Sequence, residues 1–352
     1  MKVMSYIVAF FLIFFSFQTY LADTLNNKGK KPMPMAGPNC HIVKSSISND
    51  SGNTYKINNN NLIKSASVPD AVRFNGKNLI YFVNGDFDNH SIFVYEILGD
   101  GDDTREIGPI TLNGEIIKDA VDPDVMITDD GKIRLYYYVG LFTKPVVGNI
   151  KPNKFYSAIS SDGVNFIIEG VVAELDDATD PTSIKVNDNL YLLALAESSK
   201  QRIAIYQSKD GRSFQELSNL EGGIPELTLS EEGYPELLFQ DAEGIVKMHS
   251  KDNGKSWKKI KSNILKGDSK GSASPSVLRL NATKRLMFYF KAIDGCTTSP
   301  TAYLEDKNSL MPKNNSEMGE PPLGHGVEPN LHNSEMGEPP LGHGVEPNNK
   351  VN

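Results

Sequence analysis

Acidic side chains stand beside proline at several places along this chain, and carboxylates in such positions can do chemistry. An Asp precedes Pro123 and Pro181, and an acid follows Pro69, Pro123 and Pro235. A carboxylate can transfer a proton, accept hydrogen bonds from sugar hydroxyls or bind a Ca²⁺ ion. The residues that we consider for these roles are Asp70, Asp122, Asp124, Asp180, Glu232, Tyr234, Glu236 and Ser274.

Other kinds of chemistry find less support in the sequence. The six histidines show no metal-ligand spacing, and neither a Gly-rich phosphate loop nor a Ser nucleophile elbow is present. The net charge of −8 and the lack of a basic stripe argue against nucleic acid as a partner. We therefore expect no cofactor other than a Ca²⁺ ion that these acids could hold.

The prolines belong to a repeat that is built of strands. Each copy has a proline between small or acidic residues, a short apolar run, a polar turn and a Tyr/Leu/Phe-rich strand, and the copies centre on Pro69, Pro123, Pro181, Pro235 and Pro275. Such repeats without helices are typical of a propeller whose blades are small sheets. The sequence therefore predicts an all-β, five-bladed β-propeller over residues 39–307. In such a propeller, equivalent positions of the blades surround one central pocket, which we call the funnel.

A second repeat supports the same fold. Three segments, Ser160–Phe166, Ser208–Phe214 and Ser250–Trp257, share a Ser-x-Asp frame followed by Gly and an aromatic residue, and only the last has the full spacing. The frame resembles the Asp-box of sialidase-type propellers. We expect each Asp to accept hydrogen bonds from backbone N–H groups of its own turn, which stabilises the turn and has no catalytic role.

The Asp-Pro repeat, with its Asp-Asp-Gly-Lys turn and Leu-Tyr-Tyr strand, resembles the arabinanase and β-xylosidase glycoside hydrolases over roughly residues 60–300. That resemblance implies a general base before the first-blade proline, a tuning Asp in the third blade and a general acid in a Glu-Gly-Pro motif in the fourth. Here Val68 occupies the base position, Asp180 matches the tuning residue, and Glu232 matches the acid if a bulge absorbs Tyr234. A hydrolase would have to use Asp70 or Asp122 as its base.

The N-terminus predicts secretion. Lys2 precedes an apolar stretch from Val8 to Phe17, which indicates a signal peptide over residues 1–22, followed by a linker over residues 23–38. In the oxidising compartment, a Cys40–Cys296 disulfide would join the two ends of the ring. We expect a secreted, extracellular monomer without a membrane span, with glycosylation sequons at Asn49, Asn89, Asn281 and Asn314.

The last part of the chain has a different composition. A Pro-, Gly- and Glu-rich segment from Asn315 to Asn330 recurs without change from Asn333 to Asn348, and it predicts a disordered tail over residues 308–352. The run from Leu323 to Asn333 is similar to plant CLE peptide hormones. Together with the signal peptide, the tail repeats resemble the avirulence proteins that root-knot nematodes secrete, which implies an effector directed at a host.

Three functions remain open at this point. The leading hypothesis is a secreted effector whose propeller recognises carbohydrate without hydrolysing it, because Val68 carries no ionisable group. The alternatives are an active glycoside hydrolase on arabinan- or xylan-type polysaccharides and peptide-hormone mimicry by the tail. The expected partner is accordingly a carbohydrate or a host cell-surface protein.

Overall fold

The computed structural model describes residues 38–86, 90–140, 153–176, 178–197, 200–241, 244–266, 272–293 and 296. The predicted signal peptide, residues 23–37 of the linker and the predicted tail lie outside the described residues. Within the described ranges, no helix is long and apolar enough to cross a membrane.

The described strands form five antiparallel sheets, each with the first strand innermost, and the prediction of an all-β five-bladed propeller is confirmed. Blade 1 contains β3 (Ala66–Phe74), β4 (Lys77–Asn84), β5 (Ile92–Leu98) and β6 (Asp103–Pro109). Blade 2 contains β8 (Ala120–Ile127), β9 (Ile133–Val139), β10 (Asn153–Ser160) and β11 (Asn165–Leu175), with the short β7 (Thr111–Leu112) parallel to β11.

Blade 3 contains β12 (Ala178–Asn187), β13 (Leu190–Glu197), β14 (Arg202–Ser208) and β15 (Gln215–Glu221). Blade 4 contains β16 (Pro225–Leu229), β17 (Pro235–Asp241), β18 (Gly244–His249) and β19 (Lys258–Lys261). Blade 5 contains β21 (Ser272–Arg279), β22 (Arg285–Ala292), β1 (His41–Ser48) and β2 (Tyr55–Lys64), with β20 (Leu265–Lys266) parallel to β2. A short 3₁₀ turn, Pro38–Cys40, leads into β1.

The apolar core lies between the blades. Five clusters of buried side chains lie between the blades; four of them combine residues of two neighbouring sheets, and the fifth joins blades 2 and 3 together with Val68 and Val83 of blade 1. The second strand of each blade is covered on both faces, which explains why β9 reads as a continuous Leu-Tyr-Tyr-Tyr run instead of an alternating pattern. The innermost strands contact one another in the closed order β3, β8, β12, β16, β21 and β3.

The two ends of the propeller meet in blade 5. There β1 pairs antiparallel with β22 over their full length, from His41 opposite Ala292 to Ser48 opposite Arg285. The predicted Cys40–Cys296 disulfide is confirmed just outside this pairing, with the two Cα atoms 5.6 Å apart. Strands from both ends of the propeller segment therefore close the ring, and one covalent bond secures the closure.

The structure corrects the position of the fourth repeat. The innermost strand of blade 4 begins at Pro225, whereas Pro235 begins β17, the second strand of that blade. In the sequence, Pro235 has the pattern that starts an innermost strand, because Glu236 and an apolar run follow it. The residues equivalent to Asp122 and Asp124 in blade 4 are therefore Ile224 and Glu226.

The Asp-box turns all join the third and fourth strands of their blades, and a fourth copy was missed. Ser48–Tyr55, between β1 and β2, has the full spacing, and there Asp50 accepts hydrogen bonds from the N–H (2.8 Å) and the hydroxyl (2.7 Å) of Thr54. Ser256 makes the same two bonds to Asp252 between β18 and β19. These turns are tied to neighbouring blades, since Tyr136 donates a hydrogen bond to the carbonyl oxygen of Gly211 (2.6 Å).

The disulfide generates the first prediction. Replacing Cys40 and Cys296 together by alanine should lower the free energy of unfolding by about 2–5 kcal/mol, because the open chain gains conformational freedom. Urea unfolding of both proteins with and without a reductant measures the change. Reductant should destabilise the wild type and leave the double variant unchanged, and an equal response of the two proteins would contradict the prediction.

Candidate functional site

The residue before the innermost proline has a left-handed backbone in four of the five blades. The φ angles are 48° at Val68, 50° at Asp122 and Asp180, and 52° at Ser274. At each of these positions the pairing with the second strand shifts register, as expected of a β-bulge. A bulge changes the direction of one side chain, so the side chain before the proline and the side chain after it contact different neighbours.

Asp122 and Asp180 come together at the seam of blades 2 and 3. The backbone N–H of Asp180 donates a hydrogen bond to Oδ2 of Asp122 (3.2 Å), and the hydroxyl of Tyr138 also donates to Asp122. Burial, followed by the charges of Asp122 and Asp180, raises the pKa of Tyr138 well above its usual value, so this phenol stays a neutral donor. Asp122 is buried and Asp180 is partly exposed, which makes Asp180 the carboxylate that a ligand can reach.

The residue after the innermost proline bonds to the neighbouring blade. Asp70 accepts a hydrogen bond from the N–H of Val125 (2.6 Å), which links blade 1 to blade 2. Asp124 accepts one from the N–H of Ser183 (3.0 Å) and a second from the hydroxyl of that residue, which links blade 2 to blade 3. Both carboxylates are buried.

Equivalent bonds complete a cycle around the axis. Between blades 3 and 4, the hydroxyl of Thr182 donates to Glu226 (3.0 Å), and Glu226 accepts from the N–H of Val277 (2.7 Å) in blade 5. The hydroxyl of Ser276 in blade 5 donates to Asp70 in blade 1 (2.7 Å). We call Asp70, Asp124, Thr182, Ser183, Glu226 and Ser276 the axial ring.

Burial raises the pKa of all three acids in the axial ring. It raises the pKa of Asp70 to about 6, mainly because a charged carboxylate is poorly solvated there. The pKa values of Asp124 and Glu226 lie well above the usual range for the same reason, and the negative charge of Asp70 adds to both shifts. These acids differ in environment from the partly exposed Asp180.

The predicted residues around Pro235 lie elsewhere. Glu232 and Tyr234 occupy the exposed turn between β16 and β17, at the opposite end of the innermost strand from the bulges, and the ring of Tyr234 lies 5.8 Å from the ammonium of Lys251. Glu236 is buried in a bridge to Lys247 (2.8 Å) and Arg285 (3.0 Å) between blades 4 and 5. Of the predicted residues, the structure brings Asp122, Asp180 and Ser274 to the bulges and places Asp70 and Asp124 in the axial ring.

The position that corresponds to the acid of a Glu-Gly-Pro motif is Gly223, two residues before Pro225. A Cβ atom at Gly223 would lie 2.7 Å from both the backbone oxygen and the Nε2 atom of Gln240. The Oε1 atom of the same glutamine accepts a hydrogen bond from the N–H of Ile224 (3.1 Å). Gln240 of β17, the second strand of blade 4, therefore leaves no space for a side chain at residue 223.

Metal binding finds little support in this part of the chain. Among the described residues, no three or more His, Cys, Asp or Glu side chains are grouped so that they could hold a metal ion. The ring acids direct their oxygens at donors of neighbouring blades, as described above. A Ca²⁺ ion in the funnel would need ligands beyond these groups.

Two of the predicted glycosylation sites lie side by side. Asn49 and Asn281 are exposed in the β1–β2 and β21–β22 turns, which are joined by a hydrogen bond from the N–H of Ser51 to the carbonyl oxygen of Thr283 (2.9 Å). Both turns lie at the opposite end of the blade from the bulges. Asn89 and Asn314 fall outside the described residues, and glycosylation at all four sites stays a prediction.

Five residues of the site were not predicted from the sequence: Tyr138, Ser183, Thr182, Glu226 and Ser276. The last three follow a proline of an innermost strand directly, so that position was the available signal. The position after the proline led to the prediction of Asp70 and Asp124 because both are acidic. Thr182 and Ser276 occupy the same position but were not predicted, because their hydroxyls suggested no chemistry. Glu226 was not predicted because Pro225 was not recognised as an innermost proline.

Comparison with known proteins yields likenesses in fold. No protein-family model and no curated protein matches the sequence. Among solved structures, the chain is similar to Zg3597, a family 117 glycoside hydrolase of Zobellia galactanivorans, at 12% identity and a TM-score of 0.45, over 77% of this chain and 99% of that one. It is also similar to the GH43_1 enzyme of Xanthomonas citri, at 12% identity and a TM-score of 0.45, over 66% of this chain and 90% of that one.

A third similar structure is the Bombyx mori GH32 β-fructofuranosidase BmSUC1, at 15% identity and a TM-score of 0.48, over 67% of this chain and 57% of that one. The five-bladed propeller itself is shown by the five sheets described above. At such identities and TM-scores, these likenesses carry no argument about activity.

The closed position at Gly223 can be tested directly. Gly223→Ala should lower the free energy of unfolding by about 1–3 kcal/mol, because the added methyl group overlaps the backbone of β17. Urea unfolding measures the loss. Gln240→Ala should fail to rescue it, since the backbone oxygen of residue 240 remains, and full rescue would show that the position can open to hold a side chain.

Proposed function

We propose that this protein is a secreted carbohydrate-recognising propeller that binds sugar hydroxyls at the bulges of blades 2 and 3 and does not hydrolyse glycosides. The observation that carries the proposal is the pairing of Asp122 with Asp180, in which Asp122 is held by two donors and Asp180 is partly exposed. The partly exposed carboxylate of Asp180 can accept hydrogen bonds from sugar hydroxyls. The resemblance of the Asp-Pro repeat to arabinanases and β-xylosidases supports carbohydrate as the ligand class.

The arrangement of the acids favours binding over hydrolysis. Glycosidases place two carboxyl groups on either side of the scissile bond, about 5–9.5 Å apart, with one protonated and one ionised. Here Asp122 and Asp180 adjoin each other on one side of the funnel. The residues before the innermost prolines of blades 1 and 4, Val68 and Ile224, carry no ionisable group, and Gly223 has no space for one.

The secretory signal, the sequons and the tail repeats motivate the rest of the proposal. A propeller with this N-terminus would act outside the cell, and we propose that it acts as an effector at a host surface. The tail is the second candidate for function, because its repeated segment is similar to plant CLE peptides. If the tail acts as a peptide mimic, deleting residues 308–352 should abolish a host response while sugar binding by the propeller is unchanged.

A binding experiment tests the function of the funnel. The secreted full chain and its Asp180→Asn variant would be titrated with arabinan and xylan, and released reducing sugar would be measured in the same samples. Loss of a hydrogen bond to a charged group should weaken binding about ten- to hundredfold in Asp180→Asn. Asp188→Asn, in an exposed turn at the other end of the same blade, is the matched control and should bind as the wild type does.

Two outcomes would contradict the proposal. Sugar release by the wild type that disappears in Asp180→Asn would make the protein a hydrolase with a rearranged site. Absence of binding to both polysaccharides by a folded wild type would reject these sugars as ligands and leave the tail as the remaining candidate.

A further inference from the structure

The three acids of the axial ring share one bonding pattern. One oxygen of each carboxyl faces a backbone N–H of the next blade, which can only donate a hydrogen bond. For Asp70 this donor is Val125, for Asp124 it is Ser183, and for Glu226 it is Val277. The other oxygen of each carboxyl faces a hydroxyl group, supplied by Ser276, Ser183 and Thr182 respectively.

A hydroxyl group differs from a backbone N–H because it can both donate and accept. Two of the three hydroxyls already accept a backbone hydrogen bond, from Ala71 to Ser276 (3.1 Å) and from Leu227 to Thr182 (2.9 Å). Each hydroxyl oxygen has a second lone pair. A proton on the hydroxyl-facing oxygen of a ring acid would therefore reverse one hydrogen bond of the ring without breaking it.

The charge around the axis favours such a proton. Asp70, Asp124 and Glu226 are buried, and the negative charge of Asp70 acts on the other two. The hydrogen bonds described above reach these acids from backbone N–H groups and hydroxyl groups, all of which are neutral. Three buried carboxylates whose described hydrogen-bond donors are all neutral are unfavourable, and a shared proton relieves their repulsion.

We propose that Asp70, Asp124 and Glu226 together hold at least one proton at neutral pH, and that the axial ring is a proton-dependent clamp between the five blades. The proposal does not depend on the ligand of the funnel, because it concerns bonds between blades. The protonated ring keeps every bond described above and reduces the repulsion between blades 1, 2 and 4. The fully ionised ring keeps the bonds and restores the repulsion.

Three buried tyrosines in the described part of the chain sense the charges of the ring acids. Tyr81 of β4 senses the charge of Asp70, Tyr136 of β9 senses that of Asp124, and Tyr55 of β2 senses that of Glu226. Burial raises the pKa of all three phenols above the usual value, so they remain neutral in the range where carboxyls titrate. These three phenols therefore contribute nothing to a change in charge around pH 6.

The direction of the pH effect follows from linkage. A carboxyl whose pKa is higher in the folded than in the unfolded chain binds more protons when folded, so its stabilising contribution is present at low pH and is lost as pH rises. For Asp70 the loss runs from its ordinary pKa of 3.8 up to about 6. Asp124 and Glu226 extend the loss to higher pH, because their pKa values are also raised.

The first test compares the pH dependence of unfolding. The folded-to-unfolded ratio of the full chain and of Asp70→Asn, which imitates the neutral acid, would be measured in urea from pH 4.5 to 8.5. The wild-type ratio should fall relative to that of the variant by up to about tenfold per pH unit for each proton released. Asp188→Asn is the control and should follow the wild type, while parallel profiles of wild type and Asp70→Asn would overturn the proposal.

The second test needs only the wild type and therefore does not depend on the variant folding. Infrared spectroscopy distinguishes a protonated carboxyl group from a carboxylate. At pH 7 the native protein should show a protonated-carboxyl band that disappears when the protein is unfolded in urea at the same pH. A native spectrum at pH 7 that contains carboxylates alone would overturn the proposal.

Discussion

The closed cycle of hydrogen bonds around the axis is the constraint on which the propeller depends. Each blade is a separate sheet, and the apolar clusters at the seams hold neighbours together without fixing their relative height. Hydrogen bonds are directional, so bonds such as Asp70 to Val125 and Glu226 to Val277 set the register between innermost strands. Because the cycle closes from blade 5 back to blade 1, a displacement of one blade would strain the whole ring.

The proline in each innermost strand separates two kinds of position, the residue before it and the residue after it. It has no N–H to contribute to the ladder, so the strand tolerates it at a bulge. The residue after the proline lies in the axial ring, whereas the residue before it lies at the bulge, where Val68, Asp122 and Ser274 are buried and Asp180 is partly exposed. In blade 2 this places Asp122 beside Asp180, and Asp124 against Ser183, although only Pro123 lies between the two acids.

The sequence was sufficient for the fold and insufficient for the site, for identifiable reasons. The strand-rich repeats predicted the propeller, and the cysteines at the two ends of the propeller segment predicted the disulfide that secures the ring. Both signals can be read directly from residue types and their spacing. Blade 4 was misplaced because its innermost proline follows Gly223 and Ile224, which carry no polar group, while Pro235 is flanked by polar ones. The roles of Asp70 and Asp122 depend on the sign of a backbone angle, and residue type alone does not determine that sign.

The two kinds of position also differ in what a substitution would cost. An apolar residue in place of a ring acid would leave a buried N–H, such as that of Val125 or Ser183, without its acceptor, at about 1–3 kcal/mol each. The positions before the prolines hold residues as different as Val68, Asp122 and Ser274, and of these three Asp122 also accepts a backbone hydrogen bond, from the N–H of Asp180. Even the strained left-handed backbone of Val68, which is unfavourable for a β-branched residue, is held by the fixed strand around it. The three ring acids therefore share one structural task, which is to bond a backbone N–H of the next blade, while the residue type before the proline varies from blade to blade within the same fold.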